Sequence, residues 1–291
     1  MRCIFVEYLI FIVIGFCISI LSGFFGIGGG FILTPLLMLF GYSPLEAIAT
    51  SLMFSIGTSI AGVYTHYKLK NIRWKEVAIL ATSGVLATQL AYPFVKWLEN
   101  VALDTVVIPA FYFVLLSYFA FKMLKKKKEV KQVKQGIGSP VWLLILFGFI
   151  AGFLSTTLGV GGGFILVPLL ISFLHFESKH AVATSLASII FIVSAGFTTF
   201  AVQNPIDFGI GALLILGATV GAPIGAKATS FVRGRTIQLL LGALYITTMT
   251  SLIFKLVNID EAGFFVLILY TFLVNLFVFY KFLQKKTVVS H

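Results

Sequence analysis

Residues 26–37 read GIGGGFILTPLL, and 133 positions later residues 159–170 read GVGGGFILVPLL. The match extends upstream, where Gly15-Phe16 pairs with Gly148-Phe149 and Leu21-Ser22 with Leu154-Ser155. It resumes downstream, after one inserted residue, where Ala49-Thr50-Ser51-Leu52 pairs with Ala183-Thr184-Ser185-Leu186. The chain is therefore two copies of one unit, each with a glycine cluster inside a long apolar run. A duplicated apolar unit interrupted by glycines is the sequence pattern of a secondary transporter built from structural repeats.

Of the 291 residues, 59% are hydrophobic and 11% charged, and the charges cluster between long uncharged runs at 8–45, 47–67, 77–95, 105–121, 135–176, 181–206, 208–226, 236–254 and 262–280. Runs of this length suit the roughly 20 residues a helix needs to cross the hydrocarbon layer. The alternating ten-residue segments of a membrane β-barrel are missing. The expected class is an all-α integral membrane protein. Arg2 followed by an apolar stretch has the look of a signal peptide, but the stretch is long and belongs to the first copy, so it is read as a mature helix. Cys3 and Cys17 have neither CxxC nor Cys/His spacing and are expected to pack as small apolar side chains.

The net charge of +11 comes largely from Lys122, Lys125 to Lys128, Lys131 and Lys134, with Lys281, Lys285 and Lys286 near the C-terminus. These segments flank apolar runs and lack interleaved aromatics, so they speak for cytoplasmic loops and anionic lipid rather than nucleic acid. Placing the 122–134 segment inside sets the other loops by alternation. The basic 66–76 and 227–235 loops then fall inside, and the 203–207 connection, without Lys or Arg, falls outside. Equivalent loops of the two copies carry opposite charge signatures, which predicts inverted repeats. The expected organisation is repeat 1 over 1–124, a basic cytoplasmic linker over 125–139, inverted repeat 2 over 140–257, and an extra helix with a basic tail over 258–291. The N-terminus is expected outside and the C-terminus inside.

A continuous helix over 8–45 would be about 57 Å long at 1.5 Å per residue, against a hydrocarbon core of roughly 30 Å. It must break, and three consecutive glycines, each about 1 kcal/mol worse than alanine in a helix, are the natural place. The spacing predicts a helix, a turn at membrane depth and a half-helix in each copy, with Pro35 and Pro168 shaping the half-helices. Irregular backbone at that depth belongs in a protein-lined cavity. Half-helices starting near Phe31 and Phe164 would point free N–H groups and a partial positive charge at an anion. The candidate substrate-binding residues are Gly26, Gly28, Gly29, Gly30, Thr50 and Ser51, with Gly159, Gly161, Gly162, Gly163, Thr184 and Ser185. Ser22, Thr34, Ser155 and Gln89 are further polar candidates.

The competing reading of the glycines is close helix packing, with Gly26/Gly30 and Gly159/Gly163 at GxxxG spacing. For Gly217, Gly221 and Gly225 packing is the preferred reading. A nucleotide loop is excluded because no Lys-Ser/Thr follows and the GxGxxG spacing is not made. The acidic residues flank the apolar runs, and HExxH is absent, so neither an embedded enzyme, a metal site nor a cofactor is expected. His66, His175 and His180 lie near loop edges, where a solvated or interfacial ring is expected over a proton relay. The alternatives to a transporter are a membrane scaffold or receptor subunit and a membrane-embedded enzyme.

The paired GxGGGxxxxPxL segments at 26–36 and 159–169, each followed by an ATSL element at 49–52 and 183–186, resemble the sulfite exporter TauE/SafE family of membrane permeases. The small-residue stretch 217–226 resembles that family's second-half helix, whereas its first-half counterpart around 84–92 is degraded. The resemblance covers essentially the whole chain. It implies a permease of small sulfur-containing anions such as sulfite or organosulfonates. The residues alone favour an anion without separating sulfite from another oxyanion or a carboxylate.

Overall fold

The computed structural model describes residues 2–125, 140–203, 208–257 and 259–288. The linker expected over 125–139 and the 203–207 connection fall almost wholly outside these residues, as does the end of the C-terminal tail. Eleven helices make up the described regular structure: α1 (Arg2–Phe25), α2 (Gly30–Leu39), α3 (Pro44–Lys68), α4 (Trp74–Asn100), α5 (Asp104–Leu124), α6 (Val141–Leu158), α7 (Gly163–Phe173), α8 (Ser178–Gln203), α9 (Phe208–Ala228), α10 (Gly234–Leu256) and α11 (Asp260–Val288). Nine of them are long and apolar enough to cross a membrane. The all-helical membrane architecture expected from the apolar runs is thus present. The two short ones, α2 and α7, are the half-helices, about 15 and 17 Å long.

Both glycine clusters break the chain where the length argument required it. In each repeat three glycines adopt positive φ: Gly26, Gly28 and Gly29 at +75°, +81° and +73°, and Gly159, Gly161 and Gly162 at +69°, +76° and +75°. A side chain there would pay steric strain, because L-residues with a Cβ avoid this region. The fourth glycine of each motif, Gly30 or Gly163, has no positive φ and opens the half-helix. Its constraint is space, as described below.

The helices pack so that exchanging the two halves leaves the main neighbours unchanged. α1 lies along α9 as α6 lies along α4, α3 packs on α9 as α8 packs on α4, and α3 meets α8 as α5 meets α10. The α1–α9 seam is made by small residues. A methyl group on Gly217, Gly221 or Gly225 would overlap backbone of α1 at Ile12, Phe16 or Ile20, and one on Gly15 would overlap Leu214. The packing role expected of Gly217, Gly221 and Gly225 is therefore met. Residue numbers rise together along this seam, so α1 and α9 run parallel. α4 and α6 also run parallel, with Gly84 against Gly148 and Gly152. The 84–92 stretch looked degraded because α4 brings a single glycine, Gly84, to this seam, where α9 brings three to its own.

Loops carrying most of the described basic residues gather at one end. His180 Nδ1 lies 2.8 Å from the Asn71 carbonyl, and Arg235 donates to the Met123 and Leu124 carbonyls at 3.0 and 2.8 Å. The Arg73 guanidinium covers Phe176, and Lys122 covers Phe173. At the other end Tyr92 meets Phe200 with ring centroids 5.0 Å apart, and Phe40 meets Phe264 at 5.5 Å. Cys17 is a free thiol on α1.

Candidate functional site

The two glycine turns meet at the centre of the protein, backbone against backbone. A methyl on Gly30 would sit 2.5 Å from the Gly159 carbonyl oxygen, and one on Gly163 would overlap the Gly26 carbonyl. Gly28 and Gly161 face each other across the same contact. The half-helices start from this junction, each preceded by a glycine in place of a capping side chain. In this conformation the turns themselves fill the space expected between them, and every residue of both clusters is buried.

Side chains from neighbouring helices satisfy part of the exposed backbone. The Gly30 N–H donates to Ser55 Oγ at 2.9 Å. Thr58 donates to the Gly28 carbonyl at 3.1 Å, Ser185 to the Gly26 carbonyl at 3.1 Å, and Thr34 to the Gly159 carbonyl at 2.9 Å. Ser185 and Thr34 thus each tie one repeat to the turn of the other.

Pro35 and Pro168 have a consequence beyond helix shape. A proline cannot donate to the carbonyl four residues earlier, which leaves that of Phe164 without its helical partner. The Tyr245 hydroxyl donates to it at 2.7 Å. Tyr112, at the matching position of repeat 1, donates instead to the Leu158 carbonyl at 2.9 Å, at the end of α6. The four rings form a row across the junction: Tyr112 to Phe164 at 6.5 Å, Phe164 to Phe31 at 5.2 Å, and Phe31 to Tyr245 at 5.6 Å. Sequence reasoning missed Tyr112 and Tyr245, although they too recur 133 positions apart.

Around the junction several buried hydroxyls have no hydrogen-bond partner: Ser22, Ser51, Ser155 and Thr156. A buried polar atom left unpaired costs about 1–3 kcal/mol, and these four lie beside the two turns. Ser51 and Ser185 stand at the junction as expected, and Ser22 and Ser155 lie one turn before the breaks. Thr50 is buried on α3. Thr184 turns away from the junction, and its Oγ1 accepts from the Arg73 N–H at 3.2 Å, on the basic end. Gln89 is exposed and donates to Thr88 on its own helix.

The sequence placed the histidines in solvated or interfacial settings, and for His66 the structure differs. His66 is 0% exposed and neither ring nitrogen has a partner. It ends a polar stripe on α3, Ser51, Ser55, Thr58, Ser59, Gly62 and His66, which runs from the junction to the basic end. The cause is helical spacing: these positions share the face that α3 turns to the core. Among the described residues no carboxylate is buried, and no group of three or more His, Cys, Asp or Glu could hold a metal ion.

The profile of the sulfite exporter TauE/SafE family matches residues 11–252. A "probable membrane transporter protein" of Methanocaldococcus jannaschii is 27% identical over 249 residues, covering 80% of this chain and 90% of that one. Two proteins of Bacillus subtilis with the same description are 25% and 28% identical, covering 83% and 76% of this chain and 98% and 90% of their own lengths. No solved structure matches the chain.

Proposed function

We propose, from the premise that this chain belongs to the sulfite exporter TauE/SafE family, that it is a secondary transporter of small anions, with sulfite and organosulfonates as the leading substrates. That it is a membrane transporter rather than an enzyme follows from the family and the relatives. The choice of an anion and the location of its site are our reading. One observation carries it: two half-helix N-termini, without capping side chains, meet among unpaired hydroxyls and apart from any described buried carboxylate. N–H groups and the positive ends of two helix dipoles favour an anion over a cation or a neutral solute.

The mechanism we favour is alternating access around the junction. The interchangeable packing of the two halves supports inverted repeats, and the gathering of basic loops at one end supports a cytoplasmic assignment for that end. The N-terminus then lies outside and the C-terminal tail inside. The junction glycines, with Thr50, Ser51, Thr184 and Ser185, form the proposed binding set. Thr50 and Thr184 act at its margins. For an anion to bind, the two turns must separate, since they touch here. The domain division follows the repeats, with α11 as an addition.

The test is flux of labelled sulfite, ethanesulfonate and a control carboxylate into proteoliposomes, in the natural protein and in Gly29→Leu, Gly162→Leu and Ser51→Ala. Sulfur oxyanions should be carried, and all three variants should carry them more slowly. A folded Gly29→Leu or Gly162→Leu protein with normal flux would remove the junction from the mechanism.

A further inference from the structure

We propose that His66 takes up a proton together with the transported anion, so that the two cross as a pair; this rests on the anion reading above and names what drives it. The imidazole sits in the last turn of α3, inside the protein, with both nitrogens unpaired. The Gly23 backbone of α1 comes close without meeting hydrogen-bond geometry. Asn71 ties this turn to the basic end: its N–H donates to the His66 backbone carbonyl at 3.2 Å and its own carbonyl meets the half-buried His180 ring.

Among the described residues no counter-ion awaits a charged His66. The helices packed on α3 are α1, α2, α6, α8 and α9. α2 and α6 have no ionisable residue, and the described part of α1 near this end offers Gly23. α8 brings His180, which would repel a second charge, and Lys179, which is paired with Glu177 at 3.0 Å. Lys227 of α9 lies over Phe282, Lys68 over Tyr64 and Arg73 over Phe176. Glu76 faces Arg73 at 3.8 Å. A buried imidazolium without a partner is costly, and the solute that removes this cost is an anion.

The stripe supplies the connection. Thr58, which holds the Gly28 carbonyl, is followed by the unpaired Ser59, by Gly62 beside Gly23, and by His66. His66 lies about 12 Å along the helix axis from Thr58. Over that distance one negative charge at the junction raises the proton affinity of His66 about tenfold at an effective dielectric constant near 20. By linkage, the proton raises anion affinity by the same factor. The proton exchanges with water at the basic end when the site faces that side, and along the Ser59 and Thr58 hydroxyls with the opened junction when it faces the other; the imidazole returns to its neutral form once the anion has gone.

The experiment uses ethanesulfonate, whose charge is constant across the neutral range, in proteoliposomes with and without a pH gradient. In the natural protein a gradient of about one pH unit, acid on the anion side, drives up to about tenfold accumulation relative to equal pH, because one proton per anion carries about 1.4 kcal/mol, and this ratio falls toward one in His66→Gln. An unchanged ratio in the folded variant overturns the proposal, as does anion flux in the natural protein that ignores the gradient. Absence of any anion flux in the natural protein overturns the anion reading as well. Should His66→Gln not fold, proton uptake on adding ethanesulfonate to weakly buffered natural protein decides: uptake supports the pairing, and none overturns it.

Discussion

The helix that follows each half-helix shows where the two repeats part company. On α3, running from the junction toward the basic end, the core-facing positions are Ser51, Ser55, Thr58, Ser59, Gly62 and His66. Their counterparts on α8, running from the junction toward the opposite end, are Ser185, Ile189, Ile192, Val193, Gly196 and Phe200. Backbone and packing are shared, yet one route is lined with hydroxyls, four of which are unpaired or bonded to the glycine turn. The other is filled by branched aliphatics and closed by Phe200 against Tyr92. The junction itself is close to symmetric, so the two halves share the glycine turns while the approaches to them diverge. On the anion reading proposed above, one symmetric junction would serve both aqueous faces while its two approaches treat them differently.

The largest effect should come from breaking the symmetric part. Gly163→Ala would drive a methyl into the Gly26 carbonyl and near Ile27 Cα, both backbone, whereas Gly30→Ala meets the Gly159 carbonyl and the movable Ser55 hydroxyl. Overpacking costs about 1–3 kcal/mol, and backbone cannot swing aside, so Gly163→Ala should reach the upper end or fail to assemble. Gly30→Ala should be milder. Thermal unfolding in detergent measures both. Gly62→Ala is the control, because its nearest neighbour is the flexible Leu186 side chain at 3.1 Å. A Gly163→Ala protein as stable as Gly62→Ala would show that the junction is looser than described.

The tyrosine hydroxyls that hold the turns differ between the repeats as well. Tyr245→Phe strips the partner from the Phe164 carbonyl that Pro168 leaves open, and Tyr112→Phe strips one from the Leu158 carbonyl. Each should lower stability by about 1–2 kcal/mol, since a buried carbonyl is left unpaired. Tyr245→Phe should be the more damaging to transport, because Phe164 sits in the first turn of α7 beside the junction. Equal flux in the two variants would place the carbonyl outside the working site.

How far the sequence alone leads can be judged at these residues. The GxGGG repeats named the breaks, because three glycines in mid-membrane cannot continue a helix, and the structure ends α1 and α6 there. Apolar runs foretold the spans, and helix length foretold the half-helices. What stayed hidden depended on tertiary placement. Thr184 belongs to a repeated element, yet it bonds the Arg73 backbone, because only the fold brings the 66–76 loop to α8. His66 looked like a loop-edge residue by position, and the small residues of α1 and α3, Gly23 and Gly62, are what draw it inside. Phe31 and Phe164 were visible as motif letters, but their ring contacts with Tyr245 and Tyr112 needed the four helices together.

The starts of α3 and α8 sharpen the same comparison on the surface, with smaller effects. Ser43 caps α3, accepting from the Glu46 N–H at 3.3 Å while Glu46 accepts from the Ser43 N–H at 3.1 Å. This reciprocal box satisfies two otherwise free donors, so Ser43→Ala should cost about 1 kcal/mol, read as a lower unfolding temperature. A variant as stable as the natural protein would mean that α3 is held at this end by packing alone.

At the matching start of α8 there is no such box. Glu177 accepts the first helical bonds through its backbone carbonyl and pairs its carboxylate with Lys179 at 3.0 Å. The Lys179 ammonium, by hydrogen bond and charge, holds the Glu177 carboxyl below its ordinary 4.5. A carboxylate whose folded pKa is depressed adds stability above the unfolded value and loses it as pH falls through the folded one. The pair is half exposed, so its worth at neutral pH is a few tenths of a kcal/mol at most. Glu177→Gln should therefore lower the unfolding temperature slightly at neutral pH, and the gap should close in acid as pH falls through the folded value, which lies below 4.5. Salt should shrink it too, because exposed pairs are screened. A gap that survives both acid and salt would mean that Glu177 anchors α8 by packing or by its backbone rather than by charge, which would leave the basic end of repeat 2 held as the other end of repeat 1 is, by local hydrogen bonds.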